Sequence, residues 1–290
     1  MTEIIDFRVR LPAELRPGNE PTPPPEYRVQ YDAVLGLDAK RHRSFAALQS
    51  DMDDARVGHA VVHAEYEYGD PADALNDAVG KLIESYPDRF SGFGTVSMAP
   101  LHVMRALRQM QRVSDLGMVG ISIQPSFFAM PMHDRQLYPI YAKAVELELM
   151  VAVHSGVNYS VRHPISNDHP LQIDQVACDF PELTIVACHA GWPWAAEMVA
   201  VARKHPNVVM EFGGLAPKYV SEQNTGWEVM FRFMNTLLSK QVLFGTDWPV
   251  FPTTRAVEEW QAAGLKPDVL TALLGGNARR LLGRSPTGEG

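Results

Sequence analysis

The chain has 290 residues, 46% hydrophobic and 21% charged, with a formal net charge of -8 at neutral pH. This suits a single soluble domain with a full core, and the acidic balance argues against nucleic acid, whose phosphates are bound by clustered Lys and Arg. Cys178 and Cys188 are too few for a disulfide framework or a thiolate metal site, and their apolar surroundings predict two small buried hydrophobes.

Strand-like apolar runs fall at 3–9, 58–64, 92–97, 118–124, 149–154, 183–188, 207–212 and 241–247. Helical patterns separate them, clearest at 71–86 and at 134–148, where Leu137, Ile140, Tyr141, Ala144 and Leu147 share one face. The runs are rich in Val, Ile and Phe with little alternation, as strands buried on both faces should be. Eight strand–helix repeats predict an α/β fold: a single (β/α)8 TIM barrel over residues 1–284, with its chemistry at the carboxyl ends of the strands. Residues 11–40, with Pro21, Pro23, Pro24 and Pro25, read as a long lid-like loop after strand one. A second long loop, 155–167, follows strand five, and 285–290 reads as a frayed tail. No signal peptide or membrane-spanning run is visible, so a cytoplasmic protein is expected.

The strand ends carry the candidate chemistry. Strand one ends Asp6-Phe7-Arg8-Val9-Arg10, and period-two alternation puts Arg8 and Arg10 on one side. Two cations there call for an anionic ligand or for carboxylate neighbours such as Asp6 and Glu65. His63 ends strand two, and Gln124, a neutral donor and acceptor, ends strand four. Strands five and six each deliver a histidine followed two residues later by glycine: His154-Ser155-Gly156 and His189-Ala190-Gly191. With Asp247 at the end of strand eight, these imidazoles are expected to converge on one catalytic site. Glu211 is a secondary candidate for charge balance or acid chemistry, and Trp248 for packing at the mouth with ligand contact.

These motifs resemble the amidohydrolase superfamily, specifically the amidohydrolase-2 branch of decarboxylases and lactonases. The resemblance rests on Ile5-Asp6, Val153-His154-Ser155-Gly156, Cys188-His189-Ala190-Gly191-Trp192-Pro193, Phe244-Gly245-Thr246-Asp247-Trp248-Pro249, Leu137-Tyr138-Pro139-Ile140-Tyr141 and Gly276-Asn277-Ala278-Arg279-Arg280-Leu281. It implies a divalent metal such as zinc, held by an Asp-x-His-x-His signature on strand one together with the histidine and aspartate at His154 and Asp247. Both signature histidines are replaced, by Arg8 and Arg10. Guanidinium groups offer no lone pair to a metal, so no metal is expected despite the family pattern, with His154 and Asp247 the remaining ligands if one binds.

The resulting expectation is a hydrolase acting on an ester or lactone of a small carboxylated molecule. In it, Asp247 serves as base, His154 and His189 polarise the carbonyl and protonate the leaving group, and Arg8 and Arg10 grip the carboxylate. The alternatives are a non-oxidative decarboxylase or other lyase, and a barrel that binds a ligand without chemistry. No nucleic acid or membrane partner is expected; a homodimer is compatible with the sequence.

Overall fold

A computed structural model describes residues 3–18, 26–40, 43–66 and 71–284. Eight parallel strands follow in sequence order around one sheet: β1 (Ile4–Arg10), β2 (Val57–His63), β3 (Phe90–Gly94), β4 (Gly120–Ile123), β5 (Met150–His154), β6 (Ile185–Cys188), β7 (Val208–Glu211) and β8 (Val242–Leu243). Hydrogen bonds from Phe7 N to Phe244 O (2.8 Å) and from Arg10 N to Trp248 O (2.9 Å) close the ring, giving the (β/α)8 barrel. Ladder pairing in β8 stops well short of the expected 241–247 stretch. The chain turns away there, with Asp247 in the left-handed region at φ 53°.

Local chemistry sets the helices. The helix Ala72–Ser85 buries Ala72, Leu75, Val79 and Leu82, spaced three or four apart, and Asp73 complements the dipole of its first turn. The helix Tyr138–Glu146 starts later than the 134–148 pattern suggests, because Pro139 suits a first turn and Leu137 precedes it as cap. The helix Phe45–Asp54 is capped by Ser44, whose Oγ accepts from Ala47 N at 3.1 Å.

The 11–40 stretch is not structureless. It holds a short 3-10 turn at Ala13–Leu15 and the helix Glu26–Leu35, while 19–25 and the 285–290 tail lie outside the described residues. Among the described residues no helix is long and apolar enough to cross a membrane.

Two apolar layers surround the strands. Ile5, Phe7, Val61, Phe93, Val186 and Leu243 fill the barrel interior, and a larger cluster joins the outer faces of the strands to the helices. β1 carries a bulge, since three steps from Asp6 to Val9 oppose two from Ala60 to Val62 on β2. The bulge admits both Phe7 and Arg8 to the interior, where strict alternation would separate them. Of the two cysteines, Cys188 is buried as expected but Cys178 is exposed, because it lies on the outer side of the helix Leu171–Asp179.

Candidate active site

The carboxyl ends of the strands bring four charged side chains into one buried cluster. Arg8 Nε lies 3.1 Å from Asp247 Oδ1, and Arg10 bonds both Asp247 oxygens, Nε to Oδ1 and Nη2 to Oδ2, at 2.9 Å each. Glu65 bridges the same pair from the other side, pairing with Arg8 through Oε1 and with Arg10 Nη1 through Oε2 at 3.1 Å. Two guanidinium cations thus face two carboxylates, and each acid touches both bases. Burial raises the Asp247 carboxyl, but the charges of Arg10 and Arg8 prevail and hold it well below the usual carboxylate range.

Two further acids lie close by. Burial pushes Glu211 up to about 8 against the pull of Arg8, and Asp6 up to about 7 against its bond from Thr246. Glu211 therefore carries its proton at neutral pH. Its Oε1 accepts from Gly213 N, and its buried Oε2 has no partner among the described residues.

Above this cluster two imidazoles face each other with ring centroids 4.9 Å apart. His154 Nδ1 is 2.7 Å from Asp168 Oδ1, both groups being buried. His189 Nδ1 donates to Gly213 O at 2.7 Å, which fixes the tautomer and leaves Nε2 as an acceptor. Burial, with His154 and Arg8 nearby, presses His189 down to about 3, so it is neutral at physiological pH. The histidine–x–glycine repeat has a packing cause on β5, because a Cβ at Gly156 would meet His189 Cβ at 3.0 Å. Gly214, at φ +73°, makes the tight turn that passes between His189 and Asp247.

His154, His189 and Asp247 line one cleft with Leu35, Val157, Tyr159, Trp192, Leu215 and Val250. The cleft opens to solvent at the carboxyl ends of the strands. Three polar groups at the floor of an apolar cup can orient and protonate one reacting centre.

The other expected residues sit elsewhere. Arg8 and Arg10 are absent from the described lining of the cleft, and the carboxylates they grip are the protein's own. His63 is buried against Phe93 (4.7 Å, stacked), with Nε2 3.0 Å from Phe7 O, which removes it from ligand contact. Trp248 also turns away, since its Nε1 donates to Asp51 Oδ2 at 2.8 Å, anchoring the segment after β8 to the helix Phe45–Asp54. Gln124 is buried beside Ser122, and Glu211 is wholly buried. The residue that sequence reasoning missed is Asp168. It lies 14 positions beyond His154 in a 3-10 turn, and no periodicity marks it.

The donors at the mouth do not fit a divalent metal. Both Asp247 oxygens are engaged by guanidinium nitrogens, which have no lone pair and would repel a cation. Among the described residues, three His, Cys, Asp or Glu ligand atoms come within 4.8 Å of one another only at Asp174, Cys178 and His205, on the outer helices.

The amidohydrolase family profile matches residues 5–284. A 2-keto-4-carboxy-3-hexenedioate hydratase of Sphingobium sp. is 25% identical over 137 residues, 41% of this chain and 40% of that enzyme, so the match spans about two fifths of the curated relative. An uncharacterised TIM-barrel protein from Bordetella bronchiseptica superposes with a TM-score of 0.78 at 29% identity, covering 97% of this chain and 98% of that one. A dihydroxybenzoic acid decarboxylase from Polaromonas sp. JS666, solved with manganese and 2-nitroresorcinol, shares the fold at 15% identity and a TM-score of 0.70, covering 98% of this chain and 97% of that one.

Proposed function

The chain belongs to the amidohydrolase family, and on that premise we propose that it hydrolyses an ester or lactone bond in a small molecule, using imidazole rather than metal-bound water. The observation that carries this reading is the His154–Asp168 pair at 2.7 Å, beside a neutral His189 in the same cleft. Asp168 orients the His154 ring and stabilises it once charged. His154 Nε2 takes a proton from water as its oxygen bonds to the carbonyl carbon. The acyl C–O bond then breaks, and the departing oxygen takes that proton back from His154.

His189 Nε2 accepts a hydrogen bond from the water and aims it. Asp247, cast as the base from sequence, is a fixed acceptor in this scheme, because Arg10 and Arg8 stabilise its charged form and make it reluctant to take a proton. The family's usual metal supplies a polarising charge where it binds. Here Arg8 and Arg10 stand on strand one with their charge balanced by Asp247 and Glu65, and guanidinium groups cannot ionise water, which leaves that step to His154.

Replacing His154 by Gln should lower kcat on a responsive ester or lactone by about 10²–10⁴-fold with the fold intact by circular dichroism. Chelator treatment should leave the wild-type rate unchanged. Wild-type turnover in His154→Gln, or loss of activity on chelation that manganese or zinc restores, would remove this mechanism.

A second reading is favoured by the named relatives, a hydratase and a decarboxylase. The same base could add water across a conjugated double bond, and an acid at the same place could protonate the carbanion left by carbon dioxide. Product analysis separates the three, since hydrolysis cleaves an acyl C–O bond and frees a carboxylate, hydration consumes a carbon–carbon double bond, and decarboxylation alone releases carbon dioxide.

A further inference from the structure

A second set of donors lies on the outside of the barrel. Asp174 and Cys178 are one turn apart on the helix Leu171–Asp179, so both face the same neighbour. That neighbour is the carboxyl end of the helix Ala195–Lys204, which presents Lys204 and, as its cap, His205. His205 Nε2 lies 2.7 Å from Asp174 Oδ1 and 4.0 Å from Cys178 Sγ. A carboxylate oxygen, an imidazole nitrogen and a sulphur all lie within 4.8 Å of one another. A cation already bridges two of the three: Lys204 Nζ is 2.8 Å from Asp174 Oδ1 and 3.5 Å from Cys178 Sγ.

We propose that Asp174, Cys178 and His205 form a binding site for a zinc-class divalent ion, with the Lys204 ammonium as its built-in competitor. Mixed sulphur, nitrogen and oxygen donors select zinc and its borderline neighbours over magnesium or calcium, which take oxygen. Three protein ligands leave the fourth tetrahedral position to water.

The site is accessible and can rearrange. Cys178 is exposed, Asp174 is half-buried, and the Lys204 side chain is 55% exposed on a flexible stem that can swing into solvent. His205, nearly buried, is the fixed point. On binding, the Cys178 thiol gives up its proton to solvent and bonds the ion as thiolate, the His205 proton that faces Asp174 passes through solvent to Nδ1 so that Nε2 can ligate, and Lys204 leaves with its charge. One thiolate and one carboxylate then balance the two positive charges of the ion. The bound ion ties the helix that follows β5 to the helix that follows β6, at a distance from the catalytic cleft.

The test uses the full chain, stripped with chelator and titrated with Co2+ and then Zn2+, followed by absorption and calorimetry. One saturating equivalent is expected, with a thiolate-to-cobalt charge-transfer band and about one proton released per ion. Cys178→Ser should abolish the band and weaken binding at least about tenfold, and Lys204→Met should tighten it by removing the competitor. Turnover at the barrel mouth should be the same in wild type and Cys178→Ser, so failure here and failure of the hydrolase reading are distinguishable. The proposal is overturned by non-saturable binding, by equal affinity in wild type and Cys178→Ser, or by weaker binding in Lys204→Met.

Discussion

The barrel interior is filled in two ways along its length. At positions earlier in each strand, Ile5, Phe7, Val61, Phe93 and Leu243 pack by shape, with Phe7 and Phe93 edge-to-face at 5.9 Å. At and just beyond the carboxyl ends of β1, β2 and β8, Arg8, Arg10, Glu65 and Asp247 fill the cylinder by charge. Apolar packing is non-directional and degrades gradually when altered. A buried ionic cluster is all-or-none, because each member cancels the desolvation cost of another.

The largest effect should come from taking one member out of the charged end. Arg8→Met leaves Asp247 and Glu65 short of a partner and should cost about 3–5 kcal/mol in urea unfolding. Phe93→Leu at the apolar end should cost less than about 1.5 kcal/mol. Equal costs would erase the distinction between the two ends. Next comes Asp168→Asn, which keeps the shape but not the charge behind His154. It should lower kcat about 10²-fold while the thermal midpoint barely moves, and unchanged kcat would detach Asp168 from the chemistry.

The smallest effect is a pH dependence. Glu211 has its folded pKa raised to about 8 from an ordinary 4.5, so the fold prefers it protonated. Its contribution is fully present below pH 4.5 and is lost as pH rises through about 8. Glu211→Gln keeps an oxygen for Gly213 N and cannot ionise. Its thermal midpoint relative to wild type should therefore climb between pH 5 and pH 8, and a gap constant across that range would show that Glu211 is ionised in the fold.

Much of this was legible in the sequence, for definite reasons. Parallel strands buried on both faces read as apolar runs, so the barrel followed from composition and spacing. His154, His189 and Asp247 shared a strand-end position, so their meeting in one cleft followed from the fold. What escaped depended on partners distant in sequence. Arg8 and Arg10 were readable as charges needing neutralisation, but not as the partners of Asp247, 239 and 237 residues on. The β1 bulge, the exposure of Cys178 and the turn of Trp248 toward Asp51 are settled by what packs alongside, which local pattern does not encode. Asp168 sits in an irregular loop, where no period points to a site.

The charge-balanced cluster of two arginines and two carboxylates is present from the moment the chain folds. It needs no delivery from the cell's ion pool, cannot be stripped by a competitor and cannot be exchanged for another element. For the same reason it is fixed at one strength, so any tuning of reactivity must come from the imidazoles above it.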